Sequence, residues 1–255
     1  MWKLPEQPFS SVAAIAEDIE SHGYHCWENA IPPDALKSLQ SNVSAANERQ
    51  KGNYFAFHGK DQIGENLLSR LAEQKALRKL LADLYYYSTK TIARSDEIAA
   101  VLRCVQGKGG LRESNRYHFD ASLVTMLMPL LIPTEGEKNG DLIMFPNIRS
   151  PRDNVWVNIL EKAAIQNNIA RNLITSLITS GFLKPLALKL KPGNLYFFWG
   201  YRSLHANEPC DPDAQRATAL FHFGDPHQDS FATRLVAKMN RRRAELASRP
   251  DPAGS

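Results

Sequence analysis

The sequence predicts a mainly β protein with flanking α-helices, its strands wound into a double-stranded β-helix of the jelly-roll, cupin-like kind. Three observations predict it. From about residue 101, short apolar runs alternate with Gly, Pro, Asn and Asp turns, as closely spaced antiparallel strands require. Over the first hundred residues the apolar positions recur every three or four instead, which is the pattern of amphipathic helices. The chain also has neither a glycine-rich dinucleotide fingerprint nor a phosphate loop, so a doubly wound parallel sheet has no support.

The elements follow in order. Ser10-Ser11 caps a helix running to about Ser21, with Val12, Ile15 and Ile19 on one face. "GYHCWENAIPPDAL" gives a short strand, a turn and a helix opened by Pro32-Pro33, with Leu36 and Leu39 on its apolar side. Gly52 to Asp61 is a turn-rich patch around Tyr54-Phe55-Ala56-Phe57. Leu67, Leu71, Leu77, Leu80, Leu81 and Leu84 mark one amphipathic helix, or two broken near Gln74. Gly107-Lys108-Gly109-Gly110 predicts a flexible loop. Strands are expected in "YHFDASLVTMLMPLLIPT", punctuated by Pro129 and Pro133, and in "NGDLIMFPN". A helix over about Ile159 to Ile178 ends near Gly181. Strands return in "PLALKLKPGNLYFFWG", "SLHANE" and "RATALFHFG". A single domain is expected: a helical region over 1–100, a barrel core over 101–228 with a helical insert at about 158–180, a basic helix over 229–247 and a loose tail at 248–255.

Composition narrows the function. Hydrophobic residues make up 43% of 255, ample for a core without disulfide or metal staples. No apolar run reaches the roughly 18 residues of a membrane helix. Lys+Arg 31 against Asp+Glu 27 gives +4, which demands no nucleic-acid partner, the more so because Arg241, Arg242 and Arg243 cluster near the end. Cys26, Cys104 and Cys210 are odd in number and far apart, which suits a reducing compartment rather than a disulfide framework. No signal-peptide apolar stretch follows Met1, so a cytoplasmic location is expected.

The chemistry centres on His118-Phe119-Asp120. Residues two apart in a strand share a face, so an imidazole and a carboxylate enter the barrel side by side. His205, at a distant strand edge, supplies a third ligand. Two histidines and a carboxylate take one face of an octahedral ion, leaving positions for a chelating cosubstrate and dioxygen, a pattern suited to non-haem Fe(II). His227-Gln228-Asp229 repeats the triplet, but no histidine follows it and the local pattern is helical. Arg216 opens "RATALFHF" and shares a face with Thr218, Leu220 and His222. A buried arginine needs a carboxylate. A dicarboxylic acid chelating the metal with one end would supply it with the other, the Thr218 hydroxyl adding a hydrogen bond.

On these residues the chain resembles the Fe(II)/2-oxoglutarate-dependent dioxygenase superfamily, within its phytanoyl-CoA-hydroxylase-like group. His118, Asp120, His205 and Arg216 match its HxD…H…R order, and Arg216-Ala217-Thr218 is similar to its RxS/T element. "GYHCWENAIPPDALKSLQ" resembles that group's opening segment, and "PGNLYFFWGYRSLHANEP" the strand pair carrying the distal histidine. The resemblance implies Fe(II) with 2-oxoglutarate and O2 as cosubstrates, and oxidation of an unactivated C–H bond, most simply hydroxylation, of a small molecule. Related halogenases carry a small residue where Asp120 stands, so halogenation is not implied; desaturation, epoxidation and ring closure stay open. Repair demethylases carry a second arginine six residues after the first; His222 stands there, and no basic-aromatic face accompanies it. Histone-demethylase-like enzymes use a lysine anchor. A peptide or protein hydroxylase, a non-catalytic cupin-like binding protein and a zinc hydrolase are the competing readings.

Residues flanking the ligands are candidates for the substrate pocket: Arg116, Tyr117, Arg202 and Asn207, with His222 from the arginine strand. Arg116 or Arg202 would suit an acidic substrate. Counting parity from Asp120 puts Val124 and Met126 in the barrel lining and turns Thr125 and Leu127 away unless a bulge intervenes. Tyr196 and Trp199 either stack on substrate or pack the core.

Overall fold

The computed structural model describes residues 2–4, 10–135, 139–151, 155–211 and 213–226. The N-terminal third is helical, as its periodicity predicts. Helix α1 (Val12–His22) starts where the Ser11 hydroxyl accepts a hydrogen bond from the Ala14 amide at 3.1 Å, and buries Ile15, Ala16 and Ile19. Strand β1 (His25–Trp27) leads to α2 (Pro33–Arg49). The turn-rich patch proves to hold strand β2 (Phe55–His58), because Phe55 is buried and its backbone pairs with a later strand. Helices α3 (Gly59–Ile63), α4 (Leu67–Ala72) and α5 (Lys75–Thr89) follow, with the leucine-rich run broken at Gln74.

The second half supplies β3 (Ala99–Val105), α6 (Gly107–Glu113), β4 (Val124–Leu131), β5 (Leu142–Phe145), α7 (Val155–Ile165), α8 (Asn168–Thr179), β6 (Leu186–Leu188), β7 (Leu195–Trp199), β8 (Leu204–Asn207) and β9 (Arg216–Phe223). The glycine run expected as a loop is the short helix α6. The insert expected as one helix is two, because the Asn167 side chain accepts from the Ala170 amide and restarts it. The expected C-terminal helix and the second His-x-Asp triplet lie outside the described residues. Among the described residues, no helix is long and apolar enough to cross a membrane.

Among the described residues all strand pairings are antiparallel. One sheet runs β1-β7-β4-β9-β3-β2, the other β6-β5-β8. The sheets face each other: Leu142, Met144 and Leu188 of the small sheet pack against Leu127, Tyr196 and Phe198 of the large one. The large sheet's outer face, with Val124, Met126, Phe197, Trp199 and Phe221, lies under α1, α2, α4 and α5. The small sheet's outer face carries Ile143, Leu204 and Ala206 under Ile165, Ile174 and Ile178 of the insert helices. Both faces of β4 and β7 are covered, which is why these two strands are almost uninterrupted apolar runs rather than alternating ones. Each such fully buried side chain contributes about 1.5–3 kcal/mol. The result is a mixed α/β fold rather than a mainly β one, since helices hold more of the described residues than strands do. Its strands form two facing sheets, not one continuously hydrogen-bonded barrel.

Candidate metal and anion site

The triad forms where the segment before β4 crosses between the sheets. Tyr117 and Phe119 point outward into the apolar layer beneath α7 and α8, which turns His118 and Asp120 inward. His118 and His205 exchange backbone N–H···O bonds of 3.0 Å each, bringing their rings to 4.4 Å between centroids. Their Nδ1 atoms lie 2.8 Å from the Arg116 carbonyl and 2.9 Å from the Ser203 carbonyl. A carbonyl only accepts, so both Nδ1 atoms carry the proton and both Nε2 lone pairs face the site. These Nε2 atoms stand 3.7 Å (His118) and 3.5 Å (His205) from Asp120 Oδ1. The three donor atoms all lie within 4.8 Å of one another.

Asp120 is fixed on its other side. Its amide donates to the Gly200 carbonyl at 3.0 Å, and its Oδ2 accepts the Thr125 hydroxyl at 2.6 Å. His222 Nδ1 lies 3.6 Å from that same oxygen and 3.1 Å from Thr125 Oγ1. Gly200 has to be glycine: a Cβ there would come within 2.1 Å of Asp120 Oδ2. Burial alone would raise the Asp120 pKa, but His205, His222 and His118 outweigh it and hold the carboxyl well below its usual range. Burial lowers His118, and His205 lowers it further. Burial also lowers His222. Burial opposes protonation of His205 too, yet the Asp120 charge and hydrogen bond raise its pKa. Two imidazole lone pairs and one carboxylate oxygen thus converge from one side, a donor set that fits a ferrous ion. Asp120 and His205 side chains are 9% and 5% exposed against 34% for His118, so the centre opens on the His118 side.

Arg216 opens β9 and is 1% exposed. Its Nε, Nη1 and Nη2 are all buried without a hydrogen-bond partner. Its stem lies against Gly140, where a Cβ would sit 2.7 Å from Arg216 Cδ. Burial pushes its pKa down to about 10, and the charge of Arg103 adds to this. Thr218, also buried, faces the same way. The Asp141 charge favours the cation without hydrogen-bonding it, so three donor nitrogens stay idle, and an added carboxylate would match the guanidinium fork.

The flanking candidates divide. Arg116 is paired with Glu113 at 2.7 Å. Arg202 grips both carboxylate oxygens of Glu20, at 2.5 and 3.0 Å, and the Trp199 indole donates to the same group at 2.9 Å, tying α1 to the β7–β8 turn. Tyr117 faces away from the triad, towards Thr175 of α8; burial raises its hydroxyl pKa. Asn207 ends β8, where its carbonyl accepts from the Asn115 amide at 2.7 Å. Trp199 belongs to the outer core and Tyr196 to the core between the sheets. The parity count from Asp120 is corrected: residues 121–123 bend before β4 starts, so Thr125 faces the triad while Val124 and Met126 pack outward. Arg103 is not among the residues the ligand pattern points to, although an arginine between Leu102 and Cys104 in a strand is itself a signal. Two surface hollows of about 510 and 660 Å³, one beside α8 and one near residues 133–135, contain none of the triad.

Solved structures share this architecture. A prolyl 4-hydroxylase from Phytophthora capsici aligns with a TM-score of 0.57 at 13% identity, over 96% of this chain and 80% of its own. A Pseudomonas putida prolyl-4-hydroxylase gives 0.52 at 12% identity, over 84% and 95%. A non-heme alpha ketoglutarate dependent carbocyclase from nogalamycin biosynthesis gives 0.54 at 12%, over 88% and 87%. No family model matches the sequence, and no curated protein matches it. The chain thus shares the fold of these enzymes and brings two histidines and one carboxylate together within it as a 2-His-1-carboxylate triad.

Proposed function

We propose that the chain is an Fe(II)- and 2-oxoglutarate-dependent oxygenase, its sheets wound in the jelly-roll manner, that hydroxylates an unactivated C–H bond of a small molecule. The substrate, 2-oxoglutarate and O2 would leave as alcohol, succinate and CO2. The observation that carries this reading is the orphaned guanidinium of Arg216, on the same sheet face as Thr125 and His222 behind Asp120. A zinc hydrolase would leave that cation unexplained; a dicarboxylate cosubstrate satisfies it.

His118, His205 and Asp120 would hold the metal. Bound iron supplies the activation of O2 that no side chain provides. The protein's part is placement. The carbonyls of Arg116 and Ser203 lock both imidazoles in the metal-binding tautomer. Thr125 takes Asp120 Oδ2 and leaves Oδ1 to the metal. Arg216 and Thr218 anchor the cosubstrate's far carboxylate. Phe198, edge-on to His205 at 5.2 Å, keeps water from the closed side. Substrate arrives on the His118 side. A peptide hydroxylase would use the same anchors, and two of the similar structures are prolyl 4-hydroxylases.

Anaerobic titration of Fe(II) and 2-oxoglutarate tests the reading. A weak visible charge-transfer band is expected that needs both additions and is lost in Asp120→Ala. Folded, metal-bound protein without the band would overturn it. A screen of small molecules beside proline-containing peptides, read out by succinate, then separates the two substrate classes.

A further inference from the structure

We propose that Arg103 is the receptor for a carboxylate on the substrate, so that the enzyme acts on an organic acid. The proposal rests on the oxygenase reading above. The β3–β9 register pairs Arg103 with Thr218 and Val105 with Arg216, while Leu102 and Cys104 pack into the outer core. Arg103 therefore projects onto the interior face that carries Thr218 and Arg216.

Its charge is poorly met. Nε is buried without a hydrogen-bond partner. Nη2 reaches the Glu113 carbonyl at 3.5 Å and the Glu113 carboxylate only at 3.9 Å. That carboxylate is held closer, at 2.7 Å, by Arg116. The Tyr54 ring lies 5.8 Å away. Two guanidiniums thus share one interior, and the cosubstrate answers one of them: one end of 2-oxoglutarate takes the metal and the other takes Arg216. Arg103 has only the Glu113 carboxylate at 3.9 Å, and a second anion would fill the rest of its fork.

Position assigns that anion to the substrate rather than the cosubstrate. The Arg103 side chain is 18% exposed, whereas Arg216 is closed off at 1%. Arg103 also adjoins Glu113, at the end of α6, and Glu113 in turn holds Arg116, whose carbonyl accepts from the more exposed His118.

The test uses the anaerobic Fe(II)–2-oxoglutarate band of the full chain and of Arg103→Gln, Arg103→Lys and Arg216→Gln, each checked for folding by circular dichroism. Aliphatic, aromatic and N-acyl amino acids are titrated in, each beside its methyl ester. Acids but not esters are expected to perturb the wild-type band. Arg103→Gln should keep wild-type affinity for 2-oxoglutarate but weaken acid binding by at least about tenfold, the scale of a lost charged hydrogen bond. Arg103→Lys should keep part of it, having the charge without the fork. The proposal is overturned if esters act as well as acids, if no acid perturbs the wild-type complex, or if Arg103→Gln weakens 2-oxoglutarate as Arg216→Gln does. A missing wild-type band, seen before any acid is added, would instead sink the oxygenase reading itself.

Discussion

Replacing Arg216 by methionine should make the apo-protein more stable while abolishing its response to 2-oxoglutarate. Arg216 is 1% exposed and none of its three nitrogens has a partner. Burial and the neighbouring Arg103 charge lower its pKa from 12.5 to about 10. At about 1.4 kcal/mol per pH unit, the charged form is penalised by roughly 3 kcal/mol. The sign is that of a base whose folded pKa is depressed: the unfolded chain holds the proton more tightly, so the cost is fully present below about pH 10 and fades above it. Methionine keeps much of the volume and removes the charge, for a gain of about 1–3 kcal/mol after lost packing. A chain of this length gains roughly 2–4 °C per kcal/mol, so the apo melting temperature should rise by several degrees. Saturating 2-oxoglutarate with metal should stabilise the wild type by about 2.7 kcal/mol at a hundredfold excess over Kd, and the variant not at all. Thermal denaturation with and without ligand reads both effects. A variant that melts lower than wild type, or still responds to 2-oxoglutarate, would refute the assignment of Arg216 as an anion anchor.

Thr125→Val should cost about 10–100-fold in Fe(II) affinity, because the 2.6 Å bond that orients Asp120 is lost, and Thr125→Ser should restore most of it. Competition with a chromogenic chelator measures this; equal affinities for Val and Thr would remove Thr125 from the site. Gly200→Ala should abolish metal retention with the far-ultraviolet circular dichroism unchanged, since the new Cβ falls 2.1 Å from Asp120 Oδ2 and 2.4 Å from Thr125 Oγ1; iron bound at wild-type stoichiometry would show that the carboxylate is free to move. Burial pushes the Cys104 thiol up to about 11, leaving about one thiolate in a thousand at pH 8. Aromatic-disulfide labelling of the native chain at pH 8, followed by peptide mapping, should modify half-buried Cys26 long before Cys104; similar rates would contradict the packing around β3.

The parts of the site legible in the sequence are those set by rules local to one strand. His118 and Asp120 share a face because Tyr117 and Phe119 have an apolar layer to enter, and alternation is enough to read that. Arg216 and Thr218 share a face for the same reason. Parity misplaces Thr125 because it survives only while a strand continues, and residues 121–123 bend. The distance from Asp120 to Thr125 in sequence carries no information about that bend; the packing of β4 against β7 and β9 decides it. Arg103 is not legible for a related reason. Its importance comes from lying beside Thr218, and pairing between strands separated by more than a hundred residues is set by the whole sheet. Arg116 and Arg202 adjoin the triad in sequence, but local geometry hands each a carboxylate of the protein itself, Glu113 and Glu20.

The two sheets divide the work, and Asp120 joins them. His118 and His205 belong to the small sheet and its edge, held by backbone bonds to each other. Arg216, Thr218, His222, Thr125 and Arg103 all belong to the large one. Asp120 leaves the first and is gripped by the second, through Gly200, Thr125 and His222. Relative movement of the sheets would therefore appear first as a misplaced carboxylate rather than as a lost histidine. The apolar contacts of Leu127, Tyr196 and Phe198 with Leu142, Met144 and Leu188 resist that movement, and they lie in the space between the sheets without supplying a ligand. Truncating Phe198 to alanine should thus weaken metal binding while every ligand remains, at a stability cost of about 3–5 kcal/mol. Metal affinity that survives that loss of packing would show that the triad holds its geometry without the core between the sheets.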